Sequence, residues 1–416
     1  MPRNLIVLMD GTGNEIGDRQ TNILRLYRCL QKDEPDQKTI YIPGVGTNDS
    51  PTQAGRIWQK IRAICGLAFG LGLEDDVMEA YRFLCINHRP QSKINDEERD
   101  EILIFGFSRG AYAARVLAGF IHNVGLMPAH QLHLAPQVFR AYRKITDASV
   151  DENHDKTYQR MREYDQVIDQ ELVPIRFLGI FDTVSSIVRF RRFIHNIKTT
   201  GSLLELGTHA NVDSNSSVKM VRHAMAIDER RSMFRAQSWV PGPYKPHRFA
   251  KEEGQQDVKQ VWFPGYHSDI GGSPSEDRAG IGKITLHWML TEMEAAGIKL
   301  TFKKRAVNEL VLGTNEDRRT MGGLPYSKPD PLAPIHTSLV PLSPPSLMFF
   351  WRFLEFFPKS LTRREWPKGR PGFIWYLPLS EPRKIPLDHP ELKHSISESA
   401  QTRRKDDPKY DPPNLP

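Results

Sequence analysis

The residues best suited to chemistry lie in Gly106-Phe107-Ser108-Arg109-Gly110, a G-x-S-x-G spacing between the apolar run Ile102 to Phe105 and a helix-forming stretch. A serine at such a strand-to-helix turn is held in a strained backbone conformation, and the flanking glycines let strand and helix pack closely around it. Its hydroxyl then projects from the sheet beside the N–H groups that open the helix. The N–H of Arg109 can therefore receive the oxyanion formed when Ser108 attacks a carbonyl. An ordinary strand-to-helix turn is the competing explanation, but both required flanks are present here.

Nucleophilic serine chemistry needs a base, and the base needs an orienting acid. Asp182 closes the apolar run VPIRFLGIF, and His267 stands in PGYHSDIGG after the run Val258 to Phe263. The chain order Ser, Asp, His is that of α/β-hydrolases. Position alone leaves alternatives open. Asp182 would serve equally as the N-cap of a helix beginning near Val184, and Asp269 can pair with His267 or hold its loop. His223, Asp228 and Glu229, in a stretch HAMAIDERRSMF that predicts a helix over 223–234, can line the site. His287 lies in a helical pattern and is expected to be partly buried rather than catalytic. His267 and Asp269 lack the further ligands that a metal would need. The chemistry calls for no cofactor.

A second polar loop, Asp10-Gly11-Thr12-Gly13-Asn14, follows the apolar run NLIVLM at 4–9. Loops at the carboxyl ends of parallel strands gather at one edge of an open sheet, which places this loop beside Ser108. The N–H groups of Gly11, Thr12 and Gly13 are candidates for the second oxyanion donor, and Asp10 for holding the loop. A strand running into D-G-T also resembles a phosphotransferase loop, but the nucleophilic aspartate of that loop would fall at Leu8.

The elements that must position these groups form an α/β pattern. Short apolar runs predict buried strands at 4–9, 102–105 and 173–181, with further strands in KTIYIPGVGT at 38–47, which runs into a Gly-rich turn, and at 258–263. Leu73, Val77, Ala80, Tyr81, Leu84 and Cys85 make a one-sided helical stripe that should cover the sheet. The resulting expectation is an α/β-hydrolase-like catalytic domain over 1–300, with a mostly parallel central sheet flanked by helices and insertions at 127–170 and 189–256. Residues 301–394 are expected to form an extension or lid, and the polar segment 395–416 a disordered tail.

The chain has 416 residues, 39% hydrophobic and 26% charged, and carries a net charge of +7, which favours a folded globular protein with some attraction to anionic surfaces. No nucleic-acid motif accompanies that charge. Cysteine occurs only as Cys29, Cys65 and Cys85, without metal or disulfide spacing. With neither a signal peptide nor a membrane-spanning run, a cytoplasmic location is expected. SLMFFWRFLEFF at 346–357 is too short to span a bilayer, yet dense enough in aromatic residues to lie in an anionic interface or to pack on the core.

Taken together, DGTGN, GVGT at 44–47, GFSRGAYAAR at 106–115, GIFDTV at 179–184, HAMAIDERR at 223–231 and WFPGYHSDIGG at 262–272 resemble the α/β-hydrolase domain family that includes type VI secretion phospholipase effectors. The resemblance implies a Ser/Asp/His hydrolase of phospholipid or other lipid esters, with Ser108 and His267 carried over onto the family motif and Asp182 as its acid. It also raises export by a specialised secretion system. The alternative is a catalytically silent protein of the same fold that binds a lipid or a partner.

Overall fold

In Asn4–Met9 (β1) every residue is buried, and alternate side chains enter different cores: Leu5, Val7 and Met9 one, Ile6 and Leu8 the other. A strand that is apolar on both faces must be covered on both, and this one pattern dictates a three-layer structure. In the computed structural model, which describes residues 2–11, 20–32, 34–44, 72–90, 98–148, 154–184, 188–190, 204–206, 211–315, 317–336, 355–356, 359–360 and 375–416, β1 sits inside a seven-stranded sheet. The other strands are Gln37–Ile42 (β2), Glu101–Phe107 (β3), Ile175–Phe181 (β4), Val218–Ala226 (β5), Asp257–Phe263 (β6) and His394–Ile396 (β7). Their order is β7-β6-β5-β4-β3-β1-β2, and every pairing is parallel. This is an α/β-hydrolase-like fold.

The direction of travel along the sheet reverses between β1 and β3. After β1 the chain passes to β2 on one side, then returns to β3 on the other and continues outward through β4, β5 and β6. Loops leaving the carboxyl ends of β1 and β3 therefore diverge, and the crevice between them is where such sheets hold their ligands. Asp10 and Gly11 leave β1 there, and Ser108 leaves β3.

One face is covered by Leu73–Asn87 (α1) and Arg109–Val124 (α2), whose Val77, Tyr81, Leu84, Val116, Leu117 and Phe120 share a core with Leu5, Ile104 and Leu178. Within 127–170, Ala135–Ala148 and His154–Asp165 are helices, and the first adds Phe139 and Tyr142 to this layer, ringed around Phe120. The other face is covered by Asn22–Cys29 and Gly280–Ala295, with Leu26, Leu286 and Met289 against Leu103, Phe105 and Phe177.

Two expectations are overturned. Residues 218–226 form a strand in the interior of the sheet, so the helix predicted over 223–234 is absent and 189–256 is not an insertion throughout. The polar residues that obscured this strand find distant partners: Arg222 bonds Asp257 and Glu292, and His223 meets Arg115. The tail 395–416 is also ordered. Its composition is that of a disordered segment, but β6 offers an open row of backbone groups, and β7 pairs with Gln260–Trp262. Helix Glu398–Asp406 follows, capped by the Ser397 side chain, and Ala400 and Ile385 pack with Met225, Ile227 and Trp262. Of 346–357 only Glu355 and Phe356 lie within the described residues; Glu355 is buried and accepts both the N–H and the hydroxyl of Ser232. Among the described residues no helix is long and apolar enough to cross a membrane, and no cluster of side chains could hold a metal ion.

Candidate active site

Ser108 joins β3 to α2 with φ 58° and ψ −120°, a combination that costs an L-residue of order 1–3 kcal/mol and persists only where the surroundings impose it. The surroundings are backbone. A Cβ on Gly106 would lie 2.4 Å from the carbonyl oxygen of Gly110, and one on Gly110 would lie 2.1 Å from that of Met9. The elbow helix thus rests directly on the end of β1. Gly110→Ala is expected to lower stability on the order of 3 kcal/mol, measured by urea unfolding, because the opposing atoms are main chain and cannot turn aside.

At the end of β4, Asp182 has φ 40° and donates its N–H to Ala224. Residues 182–184 are not helical and 188–190 are a strand, so among the described residues Asp182 caps no α-helix. Its side chain instead points across the sheet edge. His267 opens a one-turn helix, His267–Ile270, after β6. Its Nδ1 lies 2.6 Å from Asp182 Oδ2 and its Nε2 lies 2.7 Å from Ser108 Oγ. An ionised carboxylate can only accept, so Nδ1 carries the proton and Nε2 accepts the serine hydroxyl.

The imidazole is fixed from both sides. Phe107 stacks on it with ring centroids 4.9 Å apart, and Phe234 meets it edge-on at 4.8 Å. The loop beneath it is pinned by the first turn of Asn22–Cys29: Asn22 donates to the carbonyls of Ile270 and Gly282, and Arg25 to that of Gly272. Gly271 leaves room for the Phe107 ring, which a Cβ would meet at 2.0 Å.

Burial pushes His267 below its ordinary pKa, and the bond to Asp182 opposes this only in part. Burial would raise Asp182, but the Arg383 charge and the His267 bond outweigh it and hold the carboxyl well below the usual range. Glu229, which accepts the His267 N–H, is likewise raised by burial yet held down at about 2 by Arg231.

The other predicted site residues fall into distinct places. Asp269 accepts the N–H groups of Tyr266 and His336 and pairs with His336 Nδ1 at 2.6 Å, so it braces the loop and leaves His267 to Asp182. Asp228 accepts from the Gly265 N–H and the Tyr410 hydroxyl, and burial raises it to about 6. Asp10 accepts from Thr21 Oγ1, Tyr41 Oη and the Gly11 N–H, the last at 2.6 Å. That bond commits the Gly11 N–H to holding the loop. Thr12 and Gly13 lie outside the described residues. Arg109 is the first residue of α2, where its N–H has no acceptor within the helix, and its guanidinium faces Asp76 at 4.0 Å. His223 is buried between Thr183 and Arg115, away from Ser108 Oγ. His287 is exposed rather than partly buried.

This sequence matches the family model described as T6SS phospholipase effector Tle1-like, catalytic domain, over residues 3–292. The chain belongs to that family. The uncharacterized protein YEL023C of Saccharomyces cerevisiae is 30% identical to the Tle1-like chain over 255 residues, 60% of this chain and 34% of its own. The chain thus spans about a third of that relative's length. A crystal structure of an uncharacterized protein from Pseudomonas aeruginosa aligns with 73% of this chain and 47% of its own, at 18% identity and a TM-score of 0.37. The structure of the Tle1 effector bound to the VgrG spike of the type 6 secretion system aligns with 67% and 52%, at 17% identity and 0.29. Lipid-ester hydrolysis is the chemistry of the Tle1-like family.

One residue at the site escaped sequence reasoning. Arg383 lies beyond the matched range, 201 positions from Asp182, and forms a two-pronged ion pair with it, Nη1 to Oδ1 at 2.6 Å and Nη2 to Oδ2 at 3.0 Å. No local spacing marks it. It stands in a proline-rich stretch where basic residues are common, and only the fold brings it to the sheet edge.

Proposed function

We propose that the chain is a serine hydrolase of carboxylic esters in phospholipids or other lipids, working through an acyl-enzyme. The observation that carries this reading is the unbroken line from Ser108 Oγ through His267 to Asp182, with bonds of 2.7 and 2.6 Å on a strained elbow. Ser108 Oγ attacks the ester carbonyl as its proton passes to His267 Nε2. The new oxyanion is held by the Arg109 N–H. When the tetrahedral intermediate collapses, His267 returns the proton to the leaving alcohol, and water then repeats the sequence to free the acid. Family membership supports the lipid class of the substrate.

The test is labelling by a fluorophosphonate probe, followed by mapping of the modified peptide and release of fatty acid from phospholipid vesicles. Adduct on Ser108 together with fatty-acid release is expected. Adduct elsewhere, or none, would remove the reading.

The pH dependence follows from His267, which must be neutral to act as base. Because burial lowers its pKa, kcat/KM is expected to persist as pH falls through about 6.5, where a free imidazole is half protonated, and to drop only below it. A limb lying above that value in a pH–rate profile would contradict the assignment of His267 as the base.

A further inference from the structure

We propose that Arg383 is a positioning residue of this site, so that the C-terminal segment is a working part of the catalytic centre and not only a cover. The inference rests on the serine-hydrolase reading for its catalytic consequence. It deepens that reading by adding a fourth member to the hydrogen-bonded line, supplied from outside the residues that define the family.

The geometry leaves the Asp182 carboxylate fully occupied. Oδ1 accepts the Ala226 N–H at 3.0 Å and Arg383 Nη1 at 2.6 Å; Oδ2 accepts His267 Nδ1 at 2.6 Å and Arg383 Nη2 at 3.0 Å. A planar fork on a planar carboxylate fixes the plane of the acid, and the acid fixes the plane and tautomer of the imidazole. Arg383 is itself held by the carbonyls of Phe234 and Ala226 and is only 2% exposed. Its main chain is tied down from the far end of the protein: Asn414 Nδ2 donates to the carbonyls of Arg383 and Ile227. β7 meanwhile anchors the intervening segment on the sheet edge.

A guanidinium on the acid has a second effect. A bare aspartate would draw a proton onto His267 and raise its affinity for protons; an aspartate already neutralised by Arg383 draws less. The base therefore stays neutral, and available, at lower pH. The other charges facing His267 are Arg231 and Glu229, which pair with each other, and His223 approaches Asp182 from the next strand. Of these, Glu229 also faces the Arg383 charge, but Arg231 is the main group that keeps its carboxyl ionised, so it stays paired when Arg383 is changed.

Arg383→Met and Arg383→Lys in the full chain test this. Replacing the fork by an uncharged side chain of similar length is expected to raise the His267 titration midpoint, followed by NMR of histidine-labelled protein and assigned with His267→Gln, by about one pH unit. The acid limb of kcat/KM should move with it. For p-nitrophenyl esters kcat is expected to fall about 100-fold with KM nearly unchanged, the size of effect seen when a catalytic group is misplaced by an ångström. Lysine restores the charge without the fork, so it should return the midpoint towards the wild-type value while kcat stays depressed. An unmoved midpoint in Arg383→Met, or a wild-type kcat in Arg383→Lys, overturns the inference; should the methionine variant fail to fold, the lysine result decides. The two readings separate cleanly. Wild type that takes up fluorophosphonate while the midpoint is unmoved removes only the role of Arg383, whereas a shifted midpoint in an enzyme that takes up no probe removes only the hydrolase.

Discussion

Ser108→Ala, His267→Ala and the double variant are expected to fall to one common floor, on the order of 10⁶-fold below wild type in kcat. Groups that act as a unit do not lose activity additively. Once the serine is gone the imidazole has no proton to take, and once the imidazole is gone the hydroxyl is no nucleophile at neutral pH. What remains above the uncatalysed rate comes from the oxyanion donors and from binding, which none of these substitutions touches. The measurement is steady-state hydrolysis of a soluble ester by all three variants, with circular dichroism to show that each is folded. Losses that multiply in the double variant would mean that the two residues serve separate functions and that the 2.7 Å bond between them is incidental.

The parts of this molecule that could be read from the chain are those whose cause is local. β1, β3 and β4 announce themselves as short apolar runs because both faces of each are buried, and a run needs no knowledge of its neighbours. The elbow is legible through its fixed G-x-S-x-G spacing: Gly106 is demanded by Gly110 and Ala111 in the same turn, although the atoms that demand Gly110 belong to the distant end of β1. β5 was hidden because Arg222 and His223 sit in the middle of a central strand. Such residues are tolerated only when Asp257, Glu292 and Arg115 arrive from elsewhere to satisfy them. Next to the charged run Asp228 to Arg231, the strand looked like a solvated helix. The ordered tail escaped for a related reason. The three residues of β7 have little strand character of their own, and what orders them is the vacant edge of β6.

The competing roles weighed for the acids could be separated only in three dimensions. Asp182, Asp228 and Asp269 all stand near strand ends or the histidine loop, and spacing cannot say which reaches the imidazole. The fold divides them: Asp182 takes His267, Asp269 takes His336, and Asp228 takes Tyr410. Asp228 and Asp269 spend their oxygens on loop N–H groups and on those partners. Only Asp182 presents an oxygen to the imidazole.

Asp182→Asn carries the second large expected effect, and the ion pair with Arg383 gives it an unusual signature. The amide can present an N–H where Oδ2 now accepts, which favours the tautomer of His267 with its proton on Nε2 and leaves Ser108 without a base; kcat is expected to fall about 10⁴-fold. In a triad whose acid is otherwise unpaired that loss would come with little change in stability. Here the substitution strands the Arg383 guanidinium, buried and without its counter-charge, which should cost about 3–5 kcal/mol. The variant Asp182→Asn with Arg383→Met removes the stranded charge, so urea unfolding should show most of that stability returning. Activity should not return with it, because the wrong tautomer persists whether or not the arginine is present. If the double variant is instead no more stable than Asp182→Asn alone, the charge of Arg383 is not what the single substitution leaves exposed. The carboxylate would then matter to the fold through the Ala226 N–H it accepts.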